Sequence, residues 1–174
     1  MVKPTPRLRL FGLGLIAATV AQCQQPSTAT ELLICILMLG STCLLHLAIT
    51  TLLAELSHHK PVISWCAPHR HRRSMVVLGG AGLIGLTLLA DILLWALLLR
   101  ALGLLTSLES SFYFSGITFT SVGYGDVTLP ECWRLLSVGL GLNGVLMAGW
   151  STALLMFLVQ RMMELRLSSH RSRD

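Results

Sequence analysis

Apolar residues in this chain are gathered into long, nearly unbroken runs, and polar residues are largely confined to the stretches between them. Three runs, at 32–56, at 75–99 with an apolar extension to 105, and at 135–159, are long enough to cross a hydrocarbon core, which takes about 20 helical residues. A fourth, 10–21, is shorter. Lipid offers backbone N–H and C=O groups no partner, so each run is expected to satisfy its own hydrogen bonds as a helix. The segment 109–120 is too short to span. It suits a half-length helix that enters the membrane and returns as an extended strand, which is tolerated only where protein or a water-filled cavity satisfies the backbone. Glu109, Ser110 and Ser111 suit its N-terminus, by capping and by attraction to the positive end of the helix. The spacing thus predicts helices over 31–56, 75–104, 109–120 and 133–160.

Composition agrees with that pattern. With 53% hydrophobic and 12% charged residues among 174, this is not an ordinary soluble domain. A buried all-helical soluble core is the alternative, and three spanning-length runs in so short a chain weigh against it. The formal charge of +5 reads as orientation, and no nucleic-acid partner is expected. Lys60, Arg70, Arg72 and Arg73 fall in the 57–74 loop, which has no acidic residue; Arg161, Arg166, Arg171 and Arg173 fall at the C-terminal end. The connections 22–31 and 104–132 contain no Lys or Arg, and the second carries Glu109, Asp126 and Glu131. The positive-inside bias puts the 57–74 loop and the C-terminus in the cytoplasm and 104–132 outside.

The N-terminal stretch allows two readings. Lys3, Arg7 and Arg9, then 10–21, then polar residues from Gln24 to Thr28, have the layout of a signal peptide. An uncleaved short tilted span or interfacial helix is slightly preferred. Either leaves 22–30 outside. Of five cysteines, Cys35 and Cys43 suit apolar burial and Cys66 falls on the reducing side. Cys23 and Cys132 share the outer side, where a disulfide is allowed but not required.

The chemistry sits in Thr120-Ser121-Val122-Gly123-Tyr124-Gly125-Asp126. Successive carbonyls can face one axis only if some residues adopt backbone angles unfavourable to a side chain with a Cβ, which accounts for Gly123 and Gly125. This heptapeptide, set between two spans, resembles the selectivity filter of potassium channels, and the resemblance to their pore domain covers roughly 75–161. It implies that the carbonyls of Ser121, Val122, Gly123 and Tyr124, with the Ser121 hydroxyl, form stacked K⁺ sites in a filter completed by Gly125. It implies a ring of Asp126 carboxylates at the outer mouth, raising local cation concentration.

The last helix continues the match. Gly144 resembles the inner-helix hinge, and Gly149 and Thr152 fall in register with common family residues. Val145, Ala148 and Thr152 share one helical face and would line the cavity. Close packing of small residues is the preferred account of Gly139 and Gly141, and is as good as a hinge for Gly144. Four positions depart from the family: Ser121 where threonine is usual, Ile117 where some members have glutamate, and Tyr113 and Phe114 where tryptophans are common. Phe114 has no hydrogen bond to give the filter tyrosine.

One filter segment cannot close a pore, so several copies are needed, and the resemblance makes the assembly a homotetramer. The expected fold is all-α and membrane-integral, a re-entrant pore helix and filter lying between two spans. It divides into a basic, apolar N-terminal segment at 1–30, a peripheral helix at 31–56, a basic loop at 57–74, the pore domain at 75–161 and a tail at 162–174. The expected function is passive K⁺ conduction across the cell membrane, not enzymatic. No cofactor is implied; K⁺ is the transported ion and the bilayer the other partner. The rival functions are a non-selective cation channel and a non-conducting subunit that modulates another channel.

Two ionisable residues, His46 and Asp91, lie deepest in the spans, where such groups are functional candidates. Their depths agree within roughly 10 Å at 1.5 Å per residue, so a hydrogen bond between them is allowed. A merely structural pair, or unrelated partners, is the preferred account; if paired, protonation of His46 would couple pH to gating. Asn143 suits either a bond between helices or the cavity. A metal set of Cys66, His69 and His71 has no standard spacing and sits among arginines, so a topogenic basic loop is preferred. No span carries the regularly spaced arginines of a voltage sensor.

Overall fold

The computed structural model describes residues 27–66 and 70–171. They form helix α1 (Thr28–His58), a short α2 (Lys60–Cys66), α3 (Arg70–Ala101), α4 (Leu108–Phe119), a 3₁₀ turn (Glu131–Trp133) and α5 (Arg134–Arg171). Three segments, Thr28–His58, His71–Ala101 and Glu131–Leu165, are long and apolar enough to cross a membrane. The protein is an all-α integral membrane protein. Residues 1–26, with the signal-like stretch, lie outside the described part, as does His69 of the disfavoured metal set.

Helix ends depart from the expected ones for local reasons. Hydropathy marks where lipid ends, not where a helix ends. The 57–74 stretch is therefore largely helical, and α5 continues past 160 to Arg171, with no Gly or Pro to stop it and an i,i+3 pair between Arg161 and Glu164 at 3.1 Å. α3 stops at Ala101 rather than 104 because Gly103, at φ 70°, reverses the chain. The Leu104 and Gly103 N–H groups then bond the carbonyls of Leu99 and Arg100, both at 3.1 Å, the paired closure of a Schellman cap. α1 starts at a Ser27 cap whose hydroxyl accepts from the Thr30 N–H at 3.3 Å.

α5 is the central element, with α1 along one side and α3 and α4 against others. Lipid is as apolar as leucine, so contact between spans depends on close fit and on polar bonds rather than on water exclusion. Trp95, Leu99, Leu136, Leu140 and Met147 pack around the buried face of α4 at Phe114 and Phe119. A second cluster, Leu53, Ile84, Leu154 and Leu158, joins α1, α3 and α5 further along. Small residues permit the approach: Gly139 faces the Cys35 Sγ, and a Cβ built on Gly80 would come 2.5 Å from Leu158 Cδ1.

α1 and α5 run parallel, not antiparallel, because α3 turns the chain back between them. Their polar contacts keep a near-constant sequence separation. Cys35 reaches the Leu135 carbonyl, Thr42 reaches Asn143, Trp150 reaches Thr50 and Arg161 reaches His58, at separations of 100, 101, 100 and 103 residues.

Candidate ion pathway

α4 is capped earlier than the sequence suggests. Ser107, rather than Glu109 to Ser111, is the N-cap, its hydroxyl accepting from the Ser110 N–H at 3.0 Å; Glu109 sits in the first turn, where the positive helix end favours it. At the other end the helix closes into the heptapeptide itself. The Ser121 N–H bonds the Thr118 carbonyl at 3.0 Å, and the Val122 N–H bonds the Ile117 carbonyl at 2.9 Å. This is the same Schellman closure that ends α3, but serine stands where α3 has Gly103. The Gly123 N–H makes a third bond, also to Ile117, at 3.0 Å.

Positive φ then falls on alternate residues: Ser121 at 60°, Gly123 at 54° and Gly125 at 76°. Ser121 is the sole non-glycine among the described residues to do so, at a cost of about 1–2 kcal/mol for a residue with a Cβ. Alternating the hand of successive residues turns peptide dipoles toward a common side. Here the N–H groups of Ser121, Val122 and Gly123 are consumed by α4. Among the described residues, the carbonyls of Ser121, Val122, Gly123 and Tyr124 accept no backbone hydrogen bond. The whole segment 120–126 is exposed in the single chain, Tyr124 at 74%. The partially negative end of α4 lies at the root of this row of acceptors.

Asp126 is moored on both oxygens. Its Oδ2 accepts from the Tyr113 hydroxyl at 2.8 Å and its Oδ1 from the Val127 N–H at 3.0 Å. That hydrogen bond and the carboxylate's charge raise the Tyr113 pKa above the ordinary tyrosine value, so the phenol keeps the proton it donates. Sequence reasoning registered Tyr113 only as a departure and missed this strut; its signal was a hydroxyl-bearing aromatic 13 residues before the aspartate. Phe114 is buried in the apolar cluster, and Ile117 contributes its carbonyl rather than a side-chain acid.

Gly144 sits directly beneath the end of α4. A Cβ there would collide with the Phe119 carbonyl, falling 2.6 Å from its carbon and 2.8 Å from Phe119 Cα. Close packing therefore requires this glycine, and α5 runs unbroken through it. Gly141 is in ordinary contact with the Thr118 carbonyl at 3.7 Å, and Gly149 has open space around it. Val145, Ala148 and Thr152 lie exposed on α5 in the single chain; the Thr152 hydroxyl bonds the Ala148 carbonyl at 2.9 Å.

The polar residues inside the spans find one another. His46 Nε2 lies 2.7 Å from Asp91 Oδ2, with His46 2% and Asp91 0% exposed. Asn143 is buried and accepts from the Thr42 hydroxyl at 3.0 Å, so it joins helices rather than facing a cavity. Trp150 Nε1 donates to Thr50 Oγ1 at 3.0 Å, and its ring centroid is 6.1 Å from that of His46. Thr42, Thr50 and Trp150 were not singled out by sequence, since a threonine within a span usually bonds its own helix. Cys35 and Cys43 are free, and Cys132 is disulfide-bonded; a pairing with Cys23 falls outside the described residues. Among the described residues no group of His, Cys, Asp and Glu is arranged to hold a metal ion.

Comparison with known proteins bears on the pore half of the chain. A family model described as "Ion channel" matches residues 76–161. No curated protein and no solved structure matches the chain. The matched region holds α4, the heptapeptide and most of the two spans around them, and over it the chain carries a domain of the ion channel family.

Proposed function

We propose that this ion channel is potassium-selective and conducts as a homotetramer, with 121–125 from each chain forming the filter. The observation that carries the reading is the row of carbonyls at Ser121, Val122, Gly123 and Tyr124. The N–H groups of Ser121, Val122 and Gly123 are tied to α4, and alternate residues have positive φ. Unpaired carbonyl dipoles replace the hydration shell of a cation that has left water, and several chains are needed to surround it. The exposure of 120–126 in one chain fits a segment that other copies cover.

K⁺ would occupy sites at Ser121, Val122, Gly123 and Tyr124, with Asp126 at the outer mouth and Val145, Ala148 and Thr152 toward the inner cavity. The charge asymmetry supports a cell-membrane orientation with the C-terminus in the cytoplasm. No step in such conduction requires catalysis or a bound cofactor. Reversal potentials of the reconstituted protein in mixed K⁺ and Na⁺ test the reading. A potential following the K⁺ gradient is expected, and equal permeability would mean a non-selective cation channel instead. Chemical cross-linking in the membrane is expected to yield a four-chain limit.

A further inference from the structure

α1 precedes the residues matched to the ion channel family, yet it follows α5 through most of their length. The contacts fall on both sides of Gly144. On the N-terminal side of that residue, Cys35 faces Gly139 and Thr42 bonds Asn143. On the C-terminal side, Trp150 bonds Thr50, Leu53 packs with Leu154 and Leu158, and Arg161 Nη2 donates to His58 Nδ1 at 3.2 Å. Between those two levels α1 is itself fastened to α3 by His46 and Asp91.

We infer that α1 is a splint for α5, and that Thr50 and Trp150 are positioning residues that hold the distal half of α5 in line. This rests on reading the chain as a gated K⁺ channel. Two stiff helices joined on both sides of a bending point do not bend independently. Movement of α5 at Gly144 must shear the distal contacts or carry α1 with it. Within the membrane the Trp150 N–H finds no water to replace Thr50, so separation leaves a buried donor unpaired. Gly144 adds a second restraint, because bending there lifts α5 away from the Phe119 carbonyl.

The test is single-channel recording of the full chain in bilayers. Thr50→Val removes the acceptor and keeps the shape; Trp150→Phe removes the donor. Each is expected to change the open-to-closed ratio by about fivefold per subunit, the effect of one ordinary hydrogen bond. The double variant should do no more than either single, as expected for residues acting through one contact. Thr50→Ser keeps the hydroxyl and should gate as wild type. So should Thr51→Val, whose exposed threonine bonds only its own helix, at the Ala48 carbonyl.

A second measurement does not need conduction. Spin labels carried by non-canonical residues at exposed Val138 and Met156, diluted with unlabelled chains, report the straightness of α5. Thr50→Val should enlarge the population with the shorter separation. Ratios within twofold of wild type, or unchanged spin-label distances, would overturn the splint. Absence of K⁺ selectivity or of all current in the wild type, with the spin-label shift present in Thr50→Val, would overturn the channel reading and leave the splint standing.

Discussion

The heptapeptide after α4 and the seam between α1 and α5 both place polar groups amid apolar helices, and they dispose of them in opposite ways. After α4 the hydrogen bonding is main chain to main chain. The N–H groups of Ser121, Val122 and Gly123 are tied down and a row of acceptors is left over. Along the seam, side chains answer one another, Thr42 with Asn143 and Trp150 with Thr50, and beside it His46 of α1 pairs with Asp91 of α3. Five buried atoms on or beside the seam, Glu31 Oε2, Asp91 Oδ1, Asn143 Nδ2, Ser151 Oγ and Arg161 Nε, have no hydrogen-bond partner among the described residues, and they are scattered rather than lined up in a row. Unspent acceptors suit a passing cation; spent ones fasten helices. The two regions should therefore fail differently when altered, one in permeation and the other in assembly and movement.

The largest effect is expected in the first region. Gly123→Ala or Gly125→Ala puts a Cβ on a residue with positive φ and should abolish K⁺ selectivity. K⁺ and Na⁺ flux into liposomes measures it, and unchanged selectivity would remove 121–125 as the filter. Next comes His46→Leu, which leaves the buried Asp91 carboxylate without its partner. A loss of about 3–5 kcal/mol in unfolding stability is expected, with a milder loss for Asp91→Asn. Denaturation in detergent micelles reads both, and a neutral His46→Leu would show that the pair holds nothing.

Gly144→Ala lies where the two regions meet. Overpacking against Phe119 is expected to cost about 1–3 kcal/mol, whereas Gly149→Ala, in open space, should cost far less. Comparable thermal midpoints for the two variants would refute the packing role. The smallest effect is at Tyr113→Phe, which removes one of Asp126's two moorings and should speed loss of K⁺ current during sustained opening while leaving the fold intact. The pH dependence has a definite sign. Because the folded Tyr113 pKa is raised, its bond is fully present below the ordinary tyrosine value of about 10 and is lost as pH rises through the higher folded value. Wild type should approach Tyr113→Phe only in strong alkali, and convergence near neutral pH would contradict the assignment.

What was legible in the sequence follows the same division. The spans and α4 are written in run lengths, and the glycines of the heptapeptide in the backbone angles they permit. Ser121 hid its conformation, because serine gives no local sign of a left-handed cap until the helix before it is seen to close there. The Ser107 cap was overlooked because Ser110 and Ser111, two adjacent residues of the same chemistry, offered equally good starts. The α1–α5 seam was illegible for another reason. A span apolar on nearly every face has no stripe to reveal its neighbour, and Thr42 and Thr50 each also bond their own helix.

The double use of the Ile117 carbonyl and the Tyr113–Asp126 bond together make a bow of α4 and a string of 121–126. The inner end of the string is knotted at Ile117 and the outer end at Tyr113, one helical turn apart on the same element. The span of the carbonyl row is thus gauged by a single turn of helix within one chain. Each copy carries its own ruler before it meets another, and a change in that spacing has to come through α4.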